Sequence, residues 1–250
     1  MPKAELLTLL YSESSLSVIG ENWASKVESN NLNETITSNS NWIVENLSQV
    51  KPGNFLEVGS GDGSLLRKMG KLGWNSFGVD LGSYAGGFQV VSSINQLPNS
   101  ILFDVIVFQD VLEHVSDPSY ELSNYADHLR TGALLFMAVP WSESKSAQFG
   151  KAHWDMVLPL GHLHYFSKKS AKILLESKNF EVLAMDTVNS QGSSLTQAKS
   201  LIRSVLKVLS RILRPSKWKD LRNRISRMIM LTRCFPDHDG DQLYIKAKKI

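Results

Sequence analysis

The middle of the chain alternates short apolar runs with stretches that repeat apolar residues at helical spacing. The runs at residues 55–58, 76–80 and 104–108 predict buried strands. The third of these strands should be central in a sheet, because no polar alternation interrupts its apolar run. Further runs predict strands at residues 88–91, 133–139, 180–185 and 242–247.

Helices are predicted between these strands. Apolar residues at positions 65, 66 and 69 share one helical face. Asp117 followed by Pro118 is typical of an N-cap and a first helical position, and this helix is predicted to run to about Leu129. Ser167 is predicted to cap another helix, and helical patterns also lie at residues 6–10 and 42–47. Strands alternating with helices predict an α/β fold: a Rossmann-like, doubly wound, seven-stranded and mostly parallel sheet.

The pattern divides the chain into three parts. Residues 51–190 and 241–250 are predicted to form the α/β domain, and residues 1–50 an N-terminal helical extension. Residues 191–240 are predicted to be a helical insertion before the last strand. One of its faces is basic and the other apolar: Lys199, Arg203, Lys207, Arg211 and Arg214 lie opposite Ile202, Val205, Leu206, Leu209, Ile212 and Leu213.

Two interpretations of this insertion stay open. It could be a cap whose apolar face packs on the α/β domain while its basic face meets water. It could also make peripheral contact with an anionic membrane, since an apolar stripe beside a basic face is typical of interfacial helices.

Composition is that of an ordinary globular protein, with 42% hydrophobic and 20% charged residues and a net charge of +3. No apolar run reaches the ~20 residues that a membrane span needs, and the N-terminus lacks a signal-peptide pattern. The single cysteine, Cys234, excludes an internal disulfide and a multi-cysteine metal cluster. We therefore expect a cytoplasmic protein in a reducing compartment.

A glycine-rich loop follows the first predicted strand and opens a helix, where a ligand can approach the backbone closely. Glu57 lies at the end of that strand, and Asp80 ends the next strand, where an acidic residue can accept both hydroxyls of a ribose. The dinucleotide fingerprint needs glycine at position 64, which is Ser64 here. Glu57 and Asp62 would also repel a pyrophosphate but attract a cationic ligand. This electrostatic argument favours S-adenosylmethionine over NAD.

Four segments together resemble the class I S-adenosylmethionine-dependent methyltransferases: residues 55–63, the strand that ends at residue 80, residues 103–115 and residues 161–167. The chain is most similar to the group that includes ubiquinone-pathway O-methyltransferases and many sugar and natural-product methyltransferases. The resemblance covers about residues 41–188 and the final strand. It implies the fold and the cofactor, but not the acceptor.

The resemblance also implies which residues bind the cofactor. Around its methionine part it places Glu57, Gly59, Ser60, Gly61, Gln109 and Asp110. Asp80 would bind the ribose and Leu81 would pack on the adenine. The chain departs from the family where an aspartate usually accepts from the adenine amino group, because Ser93 stands there. We expect Ser93 or the backbone of Ile94 to bind instead. The usual second helix is also reduced to a loop around residues 84–87.

A hydroxyl acceptor needs a base, and histidine is well matched to this role near neutral pH. His162 and His164 precede the helix that Ser167 caps, and in an extended segment they would share one face. We predict that at least one contacts the acceptor, although a histidine that only donates to a loop carbonyl would fit the same pattern. Residues 153–155 could line the acceptor pocket or simply pack at the surface.

Asp110, Glu113 and His114 resemble a cluster proposed to hold a divalent metal in some ubiquinone-pathway relatives. A turn leading to the helix at Pro118 explains the same residues, so we predict no bound metal.

Motifs that the chain lacks reduce the number of possible acceptor classes. Base and protein-amine N-methyltransferases often carry Asn/Asp-Pro-Pro-aromatic after the fourth strand, where this chain has Gln109-Asp110-Val111-Leu112. No cysteine lies near the site for RNA cytosine chemistry, and no aromatic stacking platform predicts nucleic-acid binding. We therefore expect O-methylation of a small molecule, a glycan or a lipid-linked intermediate. The alternatives are a non-catalytic partner or membrane adaptor module and, third, an RNA methyltransferase.

Overall fold

One sheet organises the computed structural model, which describes residues 38–82, 89–158, 161–188 and 240–250. In chain order its strands are β1 (Asn54–Val58), β2 (Asn75–Val79), β3 (Gln89–Val91), β4 (Phe103–Gln109), β5 (Leu129–Pro140), β6 (Phe180–Val188) and β7 (Gln242–Lys249). Their order in the sheet is β3-β2-β1-β4-β5-β7-β6. All pairs are parallel except those of β7, which runs antiparallel between β5 and β6. The predicted seven-stranded, mostly parallel sheet is confirmed.

β4 lies at the centre of this sheet, between β1 and β5. Its Val105, Ile106 and Val107 are fully buried, because helices cover both faces of the sheet. The strand predicted at residues 104–108, with its uninterrupted apolar run at residues 105–108, therefore has the expected central position.

The described helices are α1 (Ser38–Leu47), α2 (Ser64–Lys71), α3 (Pro118–Ala126), α4 (Lys145–Gly150) and α5 (Lys168–Glu176). The predicted caps are confirmed: the Asp117 carboxylate accepts from the backbone N–H groups of residues 119 and 120, and the Ser167 hydroxyl accepts from that of residue 170. The predicted end of α3 at Leu129 is wrong. The helix ends at Ala126 because Leu129 begins β5, where it is buried and pairs with Phe103.

The two faces of the sheet carry separate apolar clusters. Residues of α1 and α2 pack on one face against Phe55 and Phe136. Residues of α3 and α5 pack on the other face against Phe103 and Phe180. The helices thus hold the carboxyl ends of β1, β2 and β4 at one edge, where ligands bind in open α/β sheets.

Several predictions lie outside the described residues: the helix at residues 6–10, the loop at 84–87 and the insertion at 191–239. The domain boundaries stay predictions. Among the helices of the described residues, none combines the length and the apolar character that crossing a membrane requires.

Candidate active site

The loop after β1 has the backbone geometry that only glycine adopts easily. Gly59, Gly61 and Gly63 have φ angles of +71°, +50° and +70°. A Cβ at Gly59 would also stand 2.6 Å from Cγ2 of Val111, which lies beyond the end of β4. The first glycine is therefore required both by its conformation and by the close approach of the loop after β4.

Asp80 follows β2 and joins two loops at the edge of the sheet. Its Oδ2 accepts from the Gly61 N–H at 2.7 Å, and its Oδ1 accepts from the Gly82 N–H at 2.7 Å. Each carboxylate oxygen has further acceptor capacity, so this arrangement leaves room for ribose hydroxyls. Leu81 is 62% exposed beside it and offers an apolar surface of the kind that an adenine ring would cover.

Glu57 is a buried carboxyl without a complete set of partners. Its side chain is 5% exposed, and its Oε2 has no hydrogen-bond partner in the described structure. Burial raises the pKa of Glu57 well above its usual value, and the charges of Asp62 and Asp80 raise it further, against the opposing effect of Arg67. A cation would satisfy this carboxyl, whereas a pyrophosphate would meet three acidic groups. The residues therefore fit a cationic cofactor such as S-adenosylmethionine.

The end of β4 is held by two distant parts of the chain. The Ser40 hydroxyl of α1 donates to Gln109 Oε1 at 3.1 Å. Asp110 adopts a left-handed φ of 54°, and its Oδ1 accepts from the Gln242 amide of β7 at 3.0 Å. Sequence reasoning identified Gln109 and Asp110 but missed Ser40 and Gln242, because no local motif marks a contact made by folding.

Two of the residues predicted to bind the cofactor, Ser93 and Ile94, also have structural roles. The Ser93 hydroxyl caps a short helical turn (Ile94–Gln96) by accepting from the Asn95 N–H, and the Ile94 side chain is buried. Ser60 is 4% exposed, and its hydroxyl has no partner in the described structure. Contact of Ser93, Ile94 or Ser60 with a cofactor stays a prediction.

The acceptor side of the site contains a cluster of Glu113, His114 and His162. One donor atom from each lies within 4.8 Å of the others, and the two imidazole rings meet edge to face at 4.7 Å. His114 Nδ1 lies 3.0 Å from the Gly161 carbonyl, and His162 Nδ1 lies 2.7 Å from the Met156 carbonyl. Because a carbonyl only accepts, both Nδ1 atoms carry the proton and Nε2 is the basic atom of each ring.

Burial disfavours the charged form of each group in this cluster. It lowers the pKa of His114 to about 4 and also lowers the pKa of His162 below its usual value. Burial raises the pKa of Glu113 well above its usual value, and the nearby charge of Asp110 raises it further. Burial thus shifts the pKa of the carboxyl and of both imidazoles in the direction of their uncharged forms.

His162 and His164 differ in their surroundings. His162 lies against His114 and Tyr165, whereas His164 lies beside Phe166, with its buried Nε2 lacking a partner in the described structure. The Glu113 carbonyl accepts from the N–H groups of residues 163 and 164, which joins this segment to the loop after β4. His162 is therefore better placed than His164 to work with other titratable groups.

The neighbouring residues 153–155 also differ from one another in burial. His153 and Asp155 are exposed, whereas Trp154 is buried, with its ring centroid 5.9 Å from that of Tyr165. Contact of these residues with an acceptor stays a prediction.

The donor atoms of Glu113, His114 and His162 lie close enough together that this cluster could hold a metal ion. His114 Nε2 and Glu113 Oε1 stand 3.9 Å apart. Asp110 directs Oδ1 to Gln242 and is not part of the cluster. The prediction that no metal binds stays a prediction.

Comparison with known proteins agrees with this geometry. A family model described as a methyltransferase domain matches residues 35–185. The ubiquinone biosynthesis O-methyltransferase of Shewanella sp. (strain ANA-3) is 24% identical over 175 residues, which cover 62% of this chain and 74% of that protein.

Solved structures show the same fold. An S-adenosylmethionine-dependent methyltransferase from Archaeoglobus fulgidus superposes with a TM-score of 0.54 at 18% identity, covering 84% of this chain and 94% of that one. The 1,6-didemethyltoxoflavin-N1-methyltransferase of Burkholderia thailandensis superposes with a TM-score of 0.59 at 13% identity, covering 100% and 91%. The predicted resemblance to S-adenosylmethionine-dependent methyltransferases is confirmed.

Proposed function

The chain belongs to the methyltransferase-domain family, and we propose that it transfers the methyl group of S-adenosylmethionine to a hydroxyl oxygen. The acceptor we propose is a small molecule, a glycan or a lipid-linked intermediate. The choice of cofactor is supported by the buried Glu57 carboxyl beside the glycine loop. Asp80 is bonded to the same loop through the Gly61 N–H.

The proposed binding roles follow from these contacts. Glu57 pairs with the positively charged amino group of the methionine part, and the glycine loop lets the ligand lie close to the backbone. Asp80 accepts the ribose hydroxyls while its bonds to Gly61 and Gly82 hold it in place. Leu81 packs on the adenine. When bound, the cofactor supplies a methyl group on a positively charged sulfur, ready for in-line displacement.

His162 is the base in this proposal. Its Nδ1–H donates to the Met156 carbonyl, which orients the ring and leaves Nε2 to accept the acceptor's hydroxyl proton. Its lowered pKa keeps it unprotonated at neutral pH. The buried Trp154 ring, which packs beside Tyr165, helps to exclude water. The likeness to a ubiquinone O-methyltransferase also supports oxygen as the acceptor atom.

Nitrogen is the second candidate acceptor atom, because one of the structurally similar enzymes is an N1-methyltransferase. The decisive experiment supplies the purified protein with cofactor labelled in the methyl group, together with a metabolite extract. Mass spectrometry finds the labelled product, and the carbon-13 chemical shift of its methyl group, which differs between O-methyl and N-methyl, identifies the atom that carries the label. We expect an O-methyl product. An N-methyl product would replace the proposed acceptor atom, and no labelled product from any extract would support the non-catalytic alternative.

A further inference from the structure

A tight turn after β4 lies between the glycine loop and the segment that carries the proposed base. The turn comprises residues 111–114 and is closed by the His114 N–H, which donates to the Val111 carbonyl at 2.9 Å. Its second residue, Leu112, is 0% exposed and belongs to the apolar cluster on one face of the sheet. The turn is therefore a packed element of the domain, and closely packed elements transmit small displacements.

On one side the turn contacts the glycine loop. Val111 Cγ2 fills the space that a side chain would occupy at Gly59, since a Cβ there would stand only 2.6 Å away. Gly59 has a φ of +71°, and the same loop contains two more glycines with positive φ. Because glycine backbones adopt many conformations, a donor that binds in this loop restricts it. Val111 is the residue through which that restriction reaches the turn.

On the other side the turn holds the acceptor segment, residues 161–164, by hydrogen bonds. The Glu113 carbonyl accepts from the N–H groups of residues 163 and 164, at 2.7 Å and 3.1 Å. His114 Nδ1 donates to the first carbonyl of the segment at 3.0 Å. The His114 ring also meets the His162 ring edge to face, with 4.7 Å between the centroids. The position of His162 therefore depends on the position of the turn.

We propose that Val111 is a positioning residue that couples the two sides of the site. When a donor occupies the glycine loop, the contact between Val111 and Gly59 fixes the turn, and the turn fixes the acceptor segment with His162. The donor has this effect because it binds the ordered arrangement more tightly than the arrangements in which the loop and the turn separate. Donor binding thus prepares the acceptor side. This inference rests on the proposed function, which supplies the ligand that acts through the loop.

Hydrogen exchange followed by NMR tests the coupling without any acceptor. The probe is S-adenosylhomocysteine, and the amides to follow are those of residues 163 and 164, which donate to the Glu113 carbonyl. We expect the ligand to slow their exchange by about fivefold or more, which is the lower end of ordinary coupling between two sites. Ligand binding also stabilises the whole fold. The slowing is therefore measured relative to the Ala171 amide of α5, which donates to the Ser167 carbonyl.

Two isomeric substitutions test the contact that Val111 makes. Val111→Ile keeps the branched Cβ and its Cγ2 atom, whereas Val111→Leu adds the same number of atoms but loses the branch at Cβ. In Val111→Ile the ligand should still slow exchange at residues 163 and 164. In Val111→Leu this slowing should largely disappear, although S-adenosylhomocysteine still binds. Val111→Ala removes Cγ2 without adding bulk and should behave like Val111→Leu.

Val115→Leu is the matched control for these variants. Val115 packs on the same apolar cluster as Val111 but lies outside the turn. The same substitution there should leave the effect of the ligand on residues 163 and 164 intact. Thermal unfolding checks that each variant is folded, and calorimetry checks that each binds S-adenosylhomocysteine.

Ligand-dependent slowing that persists in Val111→Leu and Val111→Ala would overturn the inference, because the donor would then act on the acceptor segment by another route. Exchange at residues 163 and 164 that slows no more than at Ala171 in the wild-type protein would overturn it too. So would faster exchange in the variants by the same factor with and without ligand, because Val111 would then only support the fold. Failure of S-adenosylhomocysteine to bind the wild-type protein would instead refute the proposed function, and the inference with it.

Discussion

His162 and His164 stand two residues apart in the sequence, but the fold gives them different neighbours. The position of His162 depends on His114, which comes from the loop after another strand, and on the carbonyl of Met156. Sequence reasoning could identify a histidine near the acceptor, because residue type indicates chemistry. It could not tell the two apart, because burial and partners are properties of the folded chain.

Substitution of His162 tests the base. His162→Gln should lower turnover by roughly 10²–10⁴-fold and leave donor binding unchanged, because the hydroxyl of the substrate loses the base that takes its proton. His164→Gln should have the smaller effect. His128→Gln is the matched control, because His128 lies at the opposite end of β5 from the site. Steady-state rates and calorimetry on each variant give the comparison, and a normal rate in His162→Gln would place the base elsewhere.

The pH profile provides a second test of the same residue. A base works when it is unprotonated, and burial lowers the pKa of His162 below 6.5. We therefore expect activity to stay level as pH falls through 6.5 and to decline only at lower pH. A decline centred at 6.5 would indicate a solvent-exposed histidine as the base.

At the scale of elements, strands and caps were predicted most reliably. The central strand β4 and the capped helices α3 and α5 have strong local signals: an unbroken apolar run, Asp117 before Pro118, and Ser167. α4 was missed because its six residues carry too short a pattern. The end of α3 was misjudged because pairing of Leu129 in β5 outweighs helix continuation.

The basic insertion, outside the described residues, offers a test at this scale. If its basic face meets a membrane, the protein should sediment with vesicles that contain anionic lipid but not with neutral ones. Each Lys or Arg near such a surface contributes about 1 kcal/mol, and added salt should release the protein because it screens the charges. Replacing four basic residues with Gln at the same time should abolish sedimentation: Arg203, Lys207, Arg211 and Arg214.

The control for that experiment removes the same charge from exposed lysines of the described domain: Lys51, Lys68, Lys169 and Lys172. It should leave sedimentation largely intact. If sedimentation with vesicles depends neither on the substitutions nor on the lipid composition, the result favours the interpretation of the insertion as a cap. Leu206→Asp should then lower the thermal unfolding temperature of the whole protein, because a charge would enter a packed face.

At the scale of the whole molecule, the site is assembled from both ends of the described chain. Ser40 of α1 reaches Gln109 across 69 positions, and Gln242 of β7 reaches Asp110 across 132. The sequence indicated the existence of β7 but not its place between β5 and β6. The glycine loop and Asp80 were predictable because adjacent parallel strands place their carboxyl ends together. The contacts from α1 and β7 were not, because they depend on the complete topology.

The central claim is that the glycine loop, Glu57 and Asp80 bind S-adenosylmethionine, and calorimetric titration of the purified protein with S-adenosylmethionine and with NAD tests it most directly. We expect S-adenosylmethionine to bind with a stoichiometry of about one and NAD to give no measurable heat, because Glu57 and Asp62 repel its pyrophosphate. Asp80→Ala should weaken S-adenosylmethionine binding by about 1–3 kcal/mol, because the ribose hydroxyls lose their acceptor, while thermal unfolding checks that the loops around Gly61 and Gly82 remain folded. Binding of NAD in preference to S-adenosylmethionine, or unchanged affinity in a folded Asp80→Ala variant, would contradict the account.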